Sequence, residues 1–176
     1  MNNRVFIATP ISGFYGTDEY QRFRTFILQL VSTLREDEYF VCTEVERIVD
    51  SRDYSSPQKS IEDDFDNILS SDIFLFMHPK LMQTSSLIEL GFACANNKKI
   101  VIVGNEDSLP YLAKNLPETN IHAVRIDFVD YSNEQIKRIC DAVENIWNWY
   151  KLLINFGNVA KKGWWDCLKT IKTGLA

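Results

Sequence analysis

The chain has only two histidines, and its four cysteines (Cys42, Cys94, Cys140 and Cys167) are scattered without a CxxC pair. That set gives poor support for a structural zinc site, and it suits a reduced, cytoplasmic protein. Cys42, Cys94 and Cys140 fall in apolar stretches, where a free thiol acts as a small buried hydrophobe. No apolar run approaches the roughly 20 residues that a membrane span needs. The start, Met1-Asn2-Asn3-Arg4, leads straight into a strand without the apolar region of a signal peptide. Positive charge is also short. Nineteen Lys and Arg stand against 24 Asp and Glu, for a net charge of −5 and a pI near 5.1. A broad nucleic-acid-binding face is therefore not expected, although a local pocket for one phosphate is allowed. There is no internal repeat and no linker strong enough to divide the chain. The 176 residues, 45% hydrophobic and 24% charged, have the length and composition of one ordinary globular domain.

Short apolar runs alternate with helical patterns. Val5–Ala8 reads as a buried first strand, and Thr17 as the cap of a helix whose stripe is Tyr20, Phe23, Ile27, Leu30, Val31 and Leu34. Tyr39–Cys42 gives strand two. Ser56-Pro57 opens a second helix, since proline suits the first helical position, with Ile61, Phe65, Ile68 and Leu69 as its stripe. Ile73–Met77 is apolar on both alternations, as in a central parallel strand covered on two faces. A helix over about Ser86–Asn96, a strand at Ile100–Val103 and an irregular stretch around Pro110 and Pro117 follow. Ala123–Phe128 reads as the last strand. Ser132, with Gln135 placed for a capping box, opens a long helix striped by Ile136, Ile139, Cys140, Val143, Ile146, Trp147 and Tyr150. This order predicts a three-layer α/β sandwich with a five-stranded, mainly parallel sheet in the flavodoxin-like order 2-1-3-4-5. Residues 1–155 make the α/β domain. Residues 156–176, apolar through Trp164, Trp165 and Ile171, form a tail expected to pack on the domain or on a neighbouring subunit.

Such sheets bind ligands at the carboxyl ends of their strands, which directs attention to Thr9–Thr17, Thr43–Ser56, His78–Ser86 and Gly104–Asn120. After strand one comes Ala8-Thr9-Pro10-Ile11-Ser12-Gly13-Phe14. Helix two carries Glu62-Asp63-Asp64-Phe65-Asp66, and after strand three the chain reads Thr84-Ser85-Ser86-Leu87-Ile88-Glu89-Leu90-Gly91. Two readings of these carboxylates compete. Ser86-x-x-Glu89 is a capping-box pattern, and an acidic helix is usually a solvated face. Glu44 and Glu46 follow strand two at the ligand end, and His78 follows strand three.

The layout resembles the nucleoside 2-deoxyribosyltransferase superfamily, which includes the 2′-deoxynucleoside 5′-phosphate N-hydrolases. The resemblance covers roughly residues 4 to 104. It places an acidic residue eight positions before the opening of strand three, here Asp64 before Asp72, and a glutamate ahead of an apolar residue and a glycine, here Glu89-Leu90-Gly91, 25 positions after Asp64. It implies Glu89 and Asp64 as the catalytic pair. Thr9, Pro10, Ile11, Ser12, Gly13 and Tyr15, with Ser85 and Ser86, are the implied substrate contacts. The sequence departs from the family between Met82 and Ile88, where it has neither the aspartate of the transferases nor the serine and glycines of the nucleotide hydrolases. Hydroxyls at a helix N-terminus can still receive a phosphate or a ribose.

The implied activity is cleavage or exchange of an N-glycosidic bond in a nucleoside, nucleotide or related ribosyl compound, without metal or cofactor. It also implies a homodimer or larger assembly. Two alternatives remain open at this point: a TIR-like NAD glycohydrolase, which Ser85-Ser86-Leu87-Ile88-Glu89-Leu90 loosely resembles, and a catalytically inactive nucleotide-sensing domain.

Overall fold

Val5, Ile7, Ile73, Leu75 and Val101 point one way from their strands, while Phe6, Phe74, Phe76, Ile100 and Ile102 point the other, and all are buried. Apolar residues on both alternations require cover on both faces of a sheet. The chain, here as a computed structural model, is described over residues 3–11, 16–48, 55–120 and 122–157, except for the side chains of 119 and 150–157. Its strands are β1 (Arg4–Ala8), β2 (Phe40–Cys42), β3 (Ile73–Met77), β4 (Lys99–Val103) and β5 (Ala123–Ile126). They form one parallel sheet in the order β2-β1-β3-β4-β5. The helices are α1 (Asp18–Glu36), α2 (Pro57–Ser70), α3 (Ser86–Ala95), α4 (Tyr111–Thr119) and α5 (Asn133–Gly157), with a single 3-10 turn at Glu44–Glu46. The sheet order is the one expected from the sequence.

One core cluster joins Phe6, Phe74, Phe76, Ile100 and Ile102 to Ile68 of α2, Leu90 and Ala93 of α3 and Ala113 of α4. Those three helices therefore share a face of the sheet. The right-handed crossover rule sends α1 to the opposite face, since β1 and β2 run in the reverse order across the sheet. The register pairs Ala8 with Phe76 and Phe76 with Ile102, so the loops after β1, β3 and β4 emerge at one edge. The switch between β1 and β3 lies at the middle of that edge. By compactness the chain divides into Met1–Ile146, which holds the sheet, and Trp147–Ala176. Trp164, Trp165 and Ile171 of the expected tail lie outside the described residues.

Three local expectations change. The stretch expected to be irregular contains α4. Pro110 stands just before its first helical residue, and Pro117 lies in its last turn, so only the backbone bond to the Ala113 carbonyl is lost. Strand five ends at Ile126 rather than Phe128. The Ser132 capping box is half formed. The Ser132 hydroxyl accepts from Gln135 N–H at 3.2 Å, but the Gln135 amide turns to Val129 N–H and the Asp127 carbonyl. The Ser132 N–H goes to Asp130 instead. Among the described residues, no helix is long and apolar enough to cross a membrane.

Helix α1 ends in a Schellman pattern, with Glu38 N–H bonded to Arg35 O and Tyr39 N–H to Leu34 O. Glu38 takes the left-handed position at φ 65° with a side chain that gains nothing visible from it. Glu38→Gly is expected to stabilise the protein by about 0.5–1 kcal/mol, raising Tm by about 2 °C. Thermal melts of the two proteins check this. Asn97, at φ 53° after α3, is a residue that tolerates the same conformation, so Asn97→Gly is expected to gain less.

Candidate active site

A cleft of about 380 Å³ opens where the edge loops meet the first turns of α2 and α3. Along α2 the residues Pro57, Ser60, Ile61 and Asp64 recur at helical spacing, so one face of its first two turns forms a wall. Ser85, Ile88 and Glu89 do the same for α3. The floor comes from Phe6, Ile7, Thr9 and Ile11 at the end of β1, and the third side from Glu44 and Ile48 at the 3-10 turn. Phe65 of α2 stacks on Phe92 of α3 with ring centroids 3.9 Å apart and planes within 3°. That stack fixes the spacing of the two helices that carry the carboxylates.

The structure settles what Glu89 does for its helix. A capping box would need the Ser86 N–H, but Thr84 Oγ1 accepts that N–H at 3.2 Å and also pairs with Ser86 Oγ at 2.9 Å. The cap position is Ser85, not Ser86, and it makes no side-chain capping bond. Glu89 takes no hydrogen bond among the described residues. Its carboxyl is half-buried in the cleft, and burial first, then the nearby charges of Asp64 and Glu44, push its pKa up to about 8. Asp64 is raised to about 6 by burial, then by Glu44 and Asp63, against the opposing pull of Arg47. Asp64 Oδ1 is buried without a hydrogen-bond partner among the described residues. Two carboxyls that interact this way titrate as a pair, and near neutral pH the pair retains about one proton.

The expected site residues divide clearly. Glu89, Asp64, Thr9, Ile11 and Ser85 line the one cleft. Pro10 is buried outside its lining, and Ser86 is fully buried with its hydroxyl committed to Thr84. Ser12, Gly13 and Tyr15 lie outside the described residues. His78, also at the ligand edge, is buried in the core against the Phe76 ring, away from the cleft. Glu44, Ser60 and Ile88 are lining residues that the sequence did not single out as substrate contacts. The post-β2 position of Glu44 was the one available signal, because a three-residue turn carries no periodicity.

Neither a family model nor a curated protein matches the sequence. Solved structures do match in shape. The Clostridium botulinum CMP N-glycosidase BcmB is 22% identical, with a TM-score of 0.58, covering 77% of this chain and 97% of that one. The solution structure of BlsM aligns at 15% identity with a TM-score of 0.67, covering 92% and 98%. A 2-deoxyribosyltransferase from Bacillus psychrosaccharolyticus aligns at 14% identity with a TM-score of 0.50, covering 75% and 90%. The chain has the nucleoside 2-deoxyribosyltransferase-like fold.

Proposed function

We propose that this protein breaks the N-glycosidic bond of a nucleoside, nucleotide or related ribosyl compound, with Glu89 acting at C1′ and Asp64 at the leaving base. The observation that carries the reading is the meeting of two carboxyls from different helices in one cleft, both with raised proton affinity and neither tied up by a hydrogen bond among the described residues. Structural ion networks satisfy their carboxylates; among the described residues this pair is left without hydrogen-bond partners, at a cost in stability. The N-glycosidase and deoxyribosyltransferase names borne by two neighbours of the same fold agree with it.

The chemistry asks for one charge and one proton. As the C1′–N bond breaks, its electron pair stays with the base nitrogen, and positive charge spreads over C1′ and the ring oxygen. A carboxylate beneath C1′ stabilises that charge or closes on it as a covalent ribosyl ester. The pair's one proton, favoured on Glu89 in the free protein, passes to Asp64 in the reacting form; Asp64 delivers it to the departing base and Glu89 is left charged beneath C1′. Water or a second base then attacks C1′, and Asp64 accepts the proton released by that nucleophile. The low-polarity walls of Phe6, Ile7, Ile61 and Phe65 strengthen each of these interactions by excluding water.

Incubation with deoxynucleosides, deoxynucleotides and NAD in separate reactions, followed by chromatography, tests the reading. Free nucleobase from a nucleoside or nucleotide is expected. Nicotinamide release alone would favour the NAD glycohydrolase, and an unchanged set of substrates that nevertheless bind would favour a sensing domain. Adding a second base to the same reaction separates exchange from hydrolysis.

A further inference from the structure

We infer that Glu44 is a positioning carboxylate of this cleft, one that touches no reacting atom and, balanced by Arg47, keeps a proton on the Asp64–Glu89 pair. The inference rests on the function proposed above and adds a third group to it.

The geometry starts at the 3-10 turn. Thr43 Oγ1 accepts the Val45 N–H, Val45 is fully buried, and Glu44 is thereby held on the cleft side of the turn. Arg47, three residues on, bonds Glu44 through Oε2 alone, with Nε at 3.1 Å and a second contact from its terminal nitrogen. Glu44 Oε1 has no partner among the described residues. Arg47 itself is not part of the cleft lining. A negative group therefore shares the cleft with the pair while its positive counterpart lies outside the lining.

Other described charges near the pair are either neutralised or weaker. Asp63 adjoins Asp64 on α2, but Lys59 bonds it at 2.8 Å. Glu46, on the same turn as Glu44, is paired to Arg35 through both of its oxygens. Glu44 is the group outside α2 and α3 that raises the proton affinity of both Asp64 and Glu89, and Arg47 opposes it at Asp64. A like charge close to two half-buried carboxyls makes their joint ionisation costly, so one proton stays on the pair.

The test is a carbon-13 NMR titration of the Asp64 and Glu89 side-chain carboxyls in the full chain, beside the pH profile of kcat/KM. In Glu44→Gln both titration midpoints are expected to fall, by about half a pH unit or more, and both limbs of the profile to follow. In Arg47→Gln the Asp64 midpoint is expected to rise. Glu44→Asp, which retains the charge, is expected to restore the profile toward that of the parent. A merely structural turn residue would not give opposite shifts in the two variants. Midpoints that stay fixed in folded Glu44→Gln, or that move the same way in both, would overturn the inference. Midpoints that move as expected in a protein that releases no base would instead count against the proposed function.

Discussion

Glu89→Gln is expected to slow base release by at least about 10³-fold, equivalent to roughly 4 kcal/mol of transition-state stabilisation, while the protein melts at a higher temperature than its parent above neutral pH. The two effects have one origin. The substitution keeps the shape of the side chain and removes the charge that C1′ requires. That charge is also the form the folded protein disfavours, through burial and the neighbouring carboxylates. Glu89 binds its proton with a pKa of about 8 when folded, against an ordinary 4.5 in the unfolded chain. Between those values the folded state is the one that retains the proton, so parent stability falls as pH rises through the window. The variant has no such loss. Its advantage should be nearly absent at pH 4, grow through neutrality and reach roughly ten degrees at pH 8. Glu89→Ala adds a control: if the carboxylate closed its helix as a capping box, alanine would lower Tm at every pH above the carboxylate range. With the Ser86 N–H already bonded to Thr84, that loss is not expected.

Asp64→Asn is expected to lower kcat by about 10² to 10⁴-fold on an ordinary nucleoside, because the leaving base no longer receives a proton. The loss should depend on the base. A nucleoside of an N7-methylated purine already carries its positive charge and leaves without protonation, so its turnover should stay close to that of the parent. Removing the Asp64 charge also lowers the proton affinity of Glu89, which that charge helps to raise. The alkaline limb of the pH profile should therefore move to lower pH. Equal losses on the neutral and the methylated substrates would assign Asp64 to binding or folding and not to proton delivery.

Much of this fold is legible in the sequence because the signals are local and strong. A five-residue strand such as Ile73–Met77, buried at every position, needs two covered faces, and the interleaved helices supply them. Thr17 and Ser56 cap their helices as read, accepting from Tyr20 N–H and Lys59 N–H. Helix α4 was hidden by two prolines whose effect depends on where they fall in the turn. The candidate site was only half legible. Asp64 stood out from its acidic helix only through the family resemblance, and Glu89 stood equally well as a cap, since Ser85 and Ser86 differ by one position and the sequence does not say which begins the helix. The bond from Thr84 decides it, and that bond is a matter of loop geometry. Glu44 is legible only as one of two glutamates at the ligand end of strand two, not as a neighbour of the pair. Its approach to Asp64 and Glu89 joins three segments far apart in the chain, and no spacing rule links them.

The most direct measurement is a crystal structure of Glu89→Gln with an intact nucleoside substrate bound. The variant should hold the substrate because it binds without turning it over. The sugar is predicted to lie in the cleft between α2 and α3 with C1′ within about 3.5 Å of the side chain at position 89, and with the base edge in hydrogen-bond reach of Asp64. A substrate bound elsewhere on the sheet edge, or one that turns its base toward position 89 and its sugar away from it, would contradict the assignment.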